Sequence, residues 1–270
     1  MKDLQDKVAV ITGGAGGVGS ALAVRLADRG CHLALVDISE EALTKVVNEL
    51  SVENINITSH VVDITDKAQM SELPAKVLAA HGKVNILVNN AGINVPRLLV
   101  DPAGKEELTE EIWDQVFAVN VKGQSLCAQA AARAMLASGK GGVLINMTSE
   151  SGMEGSEGQS VYAATKAANH NTTRSWAKEL GRQGVRVVGV GPGIMETTSM
   201  RSPAYEESLA YTRGISAEEL REKYGSTSSI PLGRSGKLSE VADLVVFLAS
   251  ERASYIHGTT VNISGGKSRG

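Results

Sequence analysis

Tyr162 and Lys166 stand four residues apart in the run Ser160-Val161-Tyr162-Ala163-Ala164-Thr165-Lys166. On a helix that spacing puts both on one face. A free phenol titrates near pH ~10 and is protonated at neutral pH. An ammonium beside it favours the phenolate and makes the tyrosine usable as an acid/base. The spacing alone says little, because most such pairs have no chemical role. Five further features accompany it in order: a glycine-rich run at Thr12 to Gly19, Asp37 closing an apolar run, Asn89-Asn90-Ala91-Gly92, Asn120, and Ser149 ahead of the tyrosine.

The glycine run Thr12-Gly13-Gly14-Ala15-Gly16-Gly17-Val18-Gly19 follows an apolar strand pattern and opens a helical one. Gly13 permits the tight turn. Gly17 and Gly19, with Val18 between them, let the backbone approach a pyrophosphate, and the helix N-terminus supplies unbonded N–H groups and a positive dipole end. Asp37 comes about 20 residues later, where the dinucleotide fingerprint places an acid that accepts from the ribose hydroxyls. It would repel a 2′-phosphate. Ile38, Ser39 and Glu40 follow, with no base to hold one, so the expected cofactor is NAD rather than NADP. Asp63 and Ile64 follow a third strand pattern. The acid suits an adenine amino group and the isoleucine the ring, and a helix cap is an equal reading for Asp63.

These residues need a frame. The chain has 270 residues, enough for one α/β domain with a large core, and aromatics are only 3% of it, so the core must be aliphatic. Apolar runs at Val8–Thr12, Leu33–Asp37, His60–Ile64, Ile86–Asn90, Val143–Thr148, Val185–Val190 and Thr260–Ile263 read as strands buried on both faces. Helical patterns at Ser20–Arg29, Ser39–Leu50, Lys67–Ala80, Glu110–Ala137, Tyr162–Leu180 and Ser239–Ala249 alternate with them. The expected fold is a doubly wound, seven-stranded parallel sheet with helices on both faces, a single NAD-binding domain over 1–270. An insertion at about 194–235 breaks the rhythm and is placed to cover the site, or is a plain surface excursion.

Net charge is −3 with signs interspersed, which gives no basic face for nucleic acid or anionic lipid. Lys267 and Arg269 are two tail charges, not a polybasic arm. Cys31 and Cys127 read as reduced, buried hydrophobes. The five histidines are scattered, His170 reads as packing or surface, and no metal is expected. No apolar run reaches the roughly 18 residues of a membrane span. The charged start Met1-Lys2-Asp3 runs into a strand, and a cytoplasmic location is expected.

Together these motifs resemble the short-chain dehydrogenase/reductase family, whose members carry T-G-x-x-x-G-x-G, N-N-A-G, a mid-helix Asn, a Ser ending strand five, Y-x-x-x-K and P-G after strand six, here Pro192-Gly193. The resemblance implies an NAD-dependent oxidoreductase. Tyr162 would be the acid/base, Lys166 would tune it and hold the nicotinamide ribose, Ser149 would bond the substrate oxygen, and Asn120 would hold a water leading to Lys166. Asn90, Ala91, Gly92, Pro192, Gly193, Met195 and Thr197 would line the cofactor. Glu196 departs from the family pattern and puts the contacts around it in doubt. Five segments, Asn94 to Asp101, Glu154 to Gln159, Pro203 to Glu207, Tyr211 to Gly214 and Gly265 to Gly270, further resemble members acting on polyol phosphates. A small-molecule sugar phosphate is therefore expected, with Arg97, Arg201 and Arg213 as phosphate ligands and Glu154 and Gln159 as hydroxyl ligands, each equally readable as a surface group. Reduction of a 3-oxoacyl thioester and a non-catalytic NAD-sensing module are the alternatives. Family members are usually tetramers or dimers, so a homo-oligomer is implied.

Overall fold

Alternation along β1 (Val8–Thr12) shows how the sheet is sandwiched. Ala9 and Ile11 pack to one face, with Leu22, Leu26, Val241 and Val245. Val8 and Val10 pack to the other, with Met70, Leu73, Cys127 and Ala128. A strand of aliphatic residues buried on both sides must have helices on both sides. The computed structural model describes residues 3–50, 54–198 and 200–268. Met1, Lys2, Arg269 and Gly270 of the sequence expectations lie outside these residues.

The other strands are β2 (His32–Asp37), β3 (Ile57–Val61), β4 (Ile86–Asn89), β5 (Gly142–Met147), β6 (Val185–Pro192) and β7 (Thr260–Ile263). All pairings are parallel, in the order β3-β2-β1-β4-β5-β6-β7. The direction of winding reverses between β1 and β4, and the carboxyl ends open a crevice there. Around the sheet lie α1 (Gly17–Asp28), α2 (Glu40–Glu49), α3 (Lys67–His81), α4 (Glu110–Phe117), α5 (Gln124–Ala137), α6 (Ser151–Glu154), α7 (Ser160–Leu180), α8 (Pro203–Thr212), α9 (Ala217–Ser226) and α10 (Leu238–Ala249). The seven-stranded Rossmann architecture and single domain agree with expectation.

Three local expectations need correction. The third strand ends at Val61, not Ile64, because its ladder with β2 stops where Asp37 pairs Val61. The expected continuous helix over Glu110–Ala137 is interrupted by a π-helical turn, Ala118–Gly123, between α4 and α5. The histidines are not all scattered: the rings of His60 and His81 each lie 2.9 Å from the Thr58 hydroxyl. No group of metal-binding side chains forms among the described residues. Both cysteines are buried and unpaired as expected, and burial pushes their thiols up to about 12. No helix among the described residues is long and apolar enough to cross a membrane.

A buried polar ladder ties α7 to the sheet. Asn89 Nδ2 donates to Asn146 Oδ1 at 3.0 Å and to the Gln124 carbonyl at 3.1 Å. Asn146 Nδ2 donates to Thr173 Oγ1 at 2.9 Å, and Asn169 Nδ2 to the Asn120 carbonyl at 3.0 Å. Asn89, Asn120 and Asn146 are fully buried. Such groups are costly when unpaired, about 1–3 kcal/mol each, so the ladder accepts one register of α7 against β4 and β5. Asn146→Ala should therefore destabilise the chain by about 2–3 kcal/mol and lower Tm by several degrees, since it leaves one N–H of Asn89 Nδ2 unpaired and opens a cavity. Thermal unfolding followed by circular dichroism checks this; an unchanged Tm would remove the ladder from the account.

Candidate active site

Two adjoining clefts open at the carboxyl edge of the sheet. The first, of about 670 Å³, is lined by Gly13, Gly16, Gly17, Val18 and Gly19, by Asp37 and Ile38, by Asp63 and Ile64, and by Asn90, Ala91 and Gly92. Every expected cofactor residue up to Gly92 is thus in one wall. A Cβ on Gly19 would fall 1.9 Å from the Gly13 carbonyl oxygen, so the loop closes only because that side chain is absent. α1 begins at Gly17, its N-cap position is Gly16 with no side-chain cap, and its first turn holds no acid, which leaves unbonded N–H groups at the cleft. Asn90 bolts the loop down: its Nδ2 donates to the carbonyls of Thr12 (3.1 Å) and Gly13 (3.0 Å).

Asp37 accepts from the Ala15 N–H at 3.1 Å and the Ser39 N–H at 3.2 Å, which fixes its carboxylate between the glycine loop and α2. Ser39, not Asp37, caps α2. Likewise Asp66 caps α3, and Asp63 instead accepts from the Thr65 N–H and hydroxyl, both at 2.8 Å. The capping alternative for Asp63 is therefore not what the structure shows. The lining of this cleft holds two acids, Asp37 and Asp63, and no Lys or Arg. A nucleotide pyrophosphate fits the uncapped helix end, and an unphosphorylated ribose fits Asp37.

The second cleft, of about 390 Å³, shares Val18, Asn90, Asn94, Thr198 and Met200 with the first. Ser149, Tyr162 and Lys166 line it, with Pro192, Gly193 and Met195 opposite. Lys166 is only 4% exposed, and its Nζ donates to the Met147 carbonyl at 2.8 Å. Burial pulls its ammonium down to about 8. The same Nζ lies 5.5 Å from the centroid of the Tyr162 ring. Burial pushes the Tyr162 phenol up, opposed by a hydrogen bond with Ser149. The expected lowering of the phenol by Lys166 is thus not seen in the chain alone, because the ammonium is turned to Met147. Asn120 sits in the π-helical turn. Its amide is consumed by the Ile93 backbone, accepting from the N–H at 2.8 Å and donating to the carbonyl at 2.9 Å. π turns inside helices often mark functional positions because they free or re-aim a carbonyl.

Of the expected substrate residues, Gln159, Arg201 and Arg213 line the second cleft, and Arg97 and Glu154 do not. Arg97 is bound to Glu106 at 2.5 Å and to the Pro96 carbonyl. Glu154 is exposed on the short α6. Thr197 is exposed and lines neither cleft; Thr198, one residue on, lines both. Glu196 serves the start of α10, where its carboxylate accepts from the Leu238 N–H at 2.7 Å.

Sequence reasoning missed Asn94, Glu150, Tyr205, Tyr224 and Lys267, all in the second cleft. Tyr205 and Tyr224 come from α8 and α9, which share a small core of Leu209, Ala210 and Leu220. The Tyr205 hydroxyl receives Gln159 Nε2 at 2.6 Å. His170, read as packing, is buried with a ring nitrogen 3.2 Å from the Ser149 carbonyl. The segments singled out at 94–101, 154–159 and 211–214 meet as one wall: the Tyr211 hydroxyl donates to Asp101 at 3.0 Å, and the Arg97 N–H to the Gly158 carbonyl at 2.8 Å.

The family model described as short chain dehydrogenase matches residues 7–208. A sorbitol-6-phosphate 2-dehydrogenase of Klebsiella pneumoniae is 48% identical over 99% of this chain and 98% of that protein. The crystal structure of a levodione reductase matches with a TM-score of 0.85 at 32% identity, covering 97% of this chain and 98% of the other. That of a 3-ketoacyl-(acyl-carrier-protein) reductase from Brucella melitensis, complexed with NADH, matches at 0.82 and 29% identity, over 98% and 100%.

The buried ammonium has a direct readout. With lysine Nζ labelled for NMR, the Lys166 resonance should titrate with a midpoint of about 8. That resonance should vanish in Lys166→Met. A midpoint above ~10 would mean that water reaches the ammonium and the burial argument fails.

Proposed function

The chain belongs to the short-chain dehydrogenase family and is an oxidoreductase that works with a nicotinamide cofactor; on that premise we propose that it is NAD-dependent and interconverts D-sorbitol 6-phosphate and D-fructose 6-phosphate. The observation that carries this reading is the presence of Arg201 and Arg213 in the lining of the cleft that holds Ser149, Tyr162 and Lys166. Arg201 stacks 4.0 Å over Tyr224 and gives one side of its guanidinium to Glu206 at 2.8 Å, while its buried Nε has no partner. Arg213 lines the same end and forms no ion pair among the described residues. A guanidinium with an unpartnered N–H and a second arginine in the same cleft suit a phosphate. Similarity to the Klebsiella enzyme supports the same substrate. The acid-only lining around Asp37 supports NAD over NADP.

When bound, the nicotinamide ring would accept the hydride. The chain supplies the rest. Gly17, Val18 and Gly19 present the α1 N–H groups to the pyrophosphate, and Asp37 receives the ribose hydroxyls. Ser149 Oγ donates a hydrogen bond to the substrate oxygen, where charge develops. Tyr162 Oη takes the proton from that oxygen during oxidation and returns it during reduction. Lys166 holds positive charge beside Tyr162, and Asn120 in the π turn would hold a water that links Lys166 to solvent. Pro192, Gly193, Met195 and the neighbouring Thr198 form the facing wall. The α8–α9 pair within 194–235 covers the cleft through Tyr205 and Tyr224. Reduction of a 3-oxoacyl thioester is the second reading, supported by the Brucella neighbour.

Tyr162→Phe should lower kcat by about 10²–10⁴, the size of general acid–base effects, and leave NADH binding intact. Near-normal turnover in this variant would give the proton to another residue. Native enzyme with NAD should favour sorbitol 6-phosphate over sorbitol by at least about tenfold in kcat/KM, from one or two charge-assisted bonds of roughly 1.5–3 kcal/mol. Arg213→Ala should narrow that ratio. Steady-state kinetics with both polyols and both cofactors decide it: a native preference for sorbitol, or for NADP, sinks the assignment.

A further inference from the structure

The wall of the catalytic cleft holds a carboxylate that the reaction does not use. Glu150 follows Ser149 directly and is only 9% exposed. Its backbone is pinned by the N–H donating to the Pro192 carbonyl at 3.0 Å. Its Oε1 receives Lys267 Nζ at 2.7 Å. Its Oε2 is buried and has no hydrogen-bond partner. A Cβ on Gly193 would lie 2.9 Å from that oxygen and 2.8 Å from Ser264, so only a glycine lets the end of β6 pack this close to the carboxylate.

Lys267 is delivered by a built turn beyond β7. Its N–H donates to the Ser264 carbonyl at 3.2 Å, and the Ser268 N–H to Ser264 Oγ at 3.3 Å. Asn262 Nδ2 bonds both the carbonyl (3.0 Å) and the hydroxyl (2.9 Å) of buried Ser268. The lysine comes from the same chain, and its charge faces Glu150 rather than solvent. An orphaned buried carboxylate oxygen is costly, and so is the ordering of a tail to steady its other oxygen. That outlay has a purpose if a ligand donor completes the group.

The orphan atoms in this cleft have a pattern. Glu150 Oε2 and Asn94 Oδ1 are acceptors, and Arg201 Nε is a donor. A ligand with hydroxyls near the reacting carbon and an anion at its far end matches that order. A methylene cannot donate to Glu150.

We propose that Glu150 is a specificity-determining residue whose Oε2 accepts a hydrogen bond from a substrate hydroxyl on a carbon adjacent to the reacting one, with Lys267 positioning the carboxylate. The proposal rests on the reading of a polyol substrate and says which part of the polyol is read. A site built to bond a hydroxyl rejects the analogue that lacks it, because the buried partner is left unpaired.

The test compares NADH-dependent reduction of D-fructose 6-phosphate with that of its 1-deoxy and 3-deoxy analogues. Native enzyme should favour the parent over at least one analogue by about tenfold or more in kcat/KM. Glu150→Ala should bring that ratio close to one by losing rate on the parent, and Glu150→Gln, which keeps an acceptor oxygen, should retain part of it. Lys267→Met should narrow the ratio in the same direction and Lys267→Arg should restore it, which a merely structural lysine would not do. The analogue rate is the internal control, since a misfolded variant loses both activities; NADH binding by fluorescence confirms folding. A ratio unchanged in Glu150→Ala, or a native enzyme indifferent to both deoxy positions, overturns the proposal. If native enzyme does not reduce fructose 6-phosphate, the substrate reading has failed on its own. The ratio is then read on 2,3-butanediol against 2-butanol: a native preference for the diol that Glu150→Ala abolishes upholds the role of Glu150, and no preference overturns it.

Discussion

An ammonium buried at the carboxyl edge of an aliphatic sheet is the constraint on which this structure turns. Lys166 is 4% exposed and donates to the Met147 carbonyl. Taking a charge out of water is expensive, and the ammonium responds by titrating near 8. A group in that position holds its place only if its surroundings are rigid. The asparagine ladder through Asn89, Asn146 and Asn169 supplies the rigidity, because each amide has one satisfying register and a slipped helix would orphan several at once. The ladder runs from β4 and β5 to α7 and to the π turn, so it positions Tyr162, Lys166 and Asn120 together. The polar interior is an alignment device placed behind the reacting groups.

The two clefts follow from topology and divide the work. Reversal of winding between β1 and β4 opens one crevice, and the glycine loop with its uncapped helix end lies on the β1 side. The carboxyl ends of β5 and β6 form the other floor, with Ser149 after β5 and Pro192 ending β6. Val18, Asn90, Asn94, Thr198 and Met200 belong to both, so a cofactor and a substrate would meet across them. The α8–α9 pair has its own small core but is fastened to the body by Tyr211 on Asp101 and by Tyr205 on Gln159. A helix pair with its own small core, held to the body by side-chain hydrogen bonds, forms a separate packing unit beside the second cleft.

Most of the fold was legible because its signals are short-range. Aliphatic runs buried on both faces give parallel strands, and glycines in a strand-to-helix turn give the phosphate loop. Departures occurred where distant partners decide. β3 is an edge strand whose extent is set by β2, so Val61 and Val62 misled by composition alone. The π turn at Ala118–Gly123 leaves no mark in hydrophobic periodicity, since one extra residue per turn merely shifts the apolar stripe. Individual cleft residues depended on pairing that no spacing reveals. Arg97 has the right loop but is taken by Glu106, and Glu154 has the right segment but faces solvent. Thr198 rather than Thr197 faces the glycine loop because the bridge of Met195 with Gly236 sets the phase of the chain after β6. Glu196, which looked out of pattern, lines the second cleft and accepts from the first N–H of α10. Glu150 carried one possible signal, an acid directly after the site serine, and its meaning appears only once Lys267 is seen beside it.

The charges in the second cleft are only partly paired with one another. Lys267 is spent on Glu150, and Arg201 is half spent on Glu206, which also holds Arg221 at 2.7 Å. Arg213 and the open edge of Arg201 remain for an anion, and the open oxygen of Glu150 remains for a donor. Were Lys267 absent, the Glu150 carboxylate would stand uncompensated in the cleft and would repel an anionic substrate. Were Glu150 absent, Lys267 would offer a second anchor for that anion and could draw it to the wrong end. The pair thus balances its own charge beside Ser149, and Glu196, Arg201, Arg213 and Lys223 are the other charged residues that line the cleft with Lys166. On the proposed reading of a phosphorylated substrate, an anionic terminus drawn to Arg201 and Arg213 would fix which carbon reaches Ser149 and Tyr162.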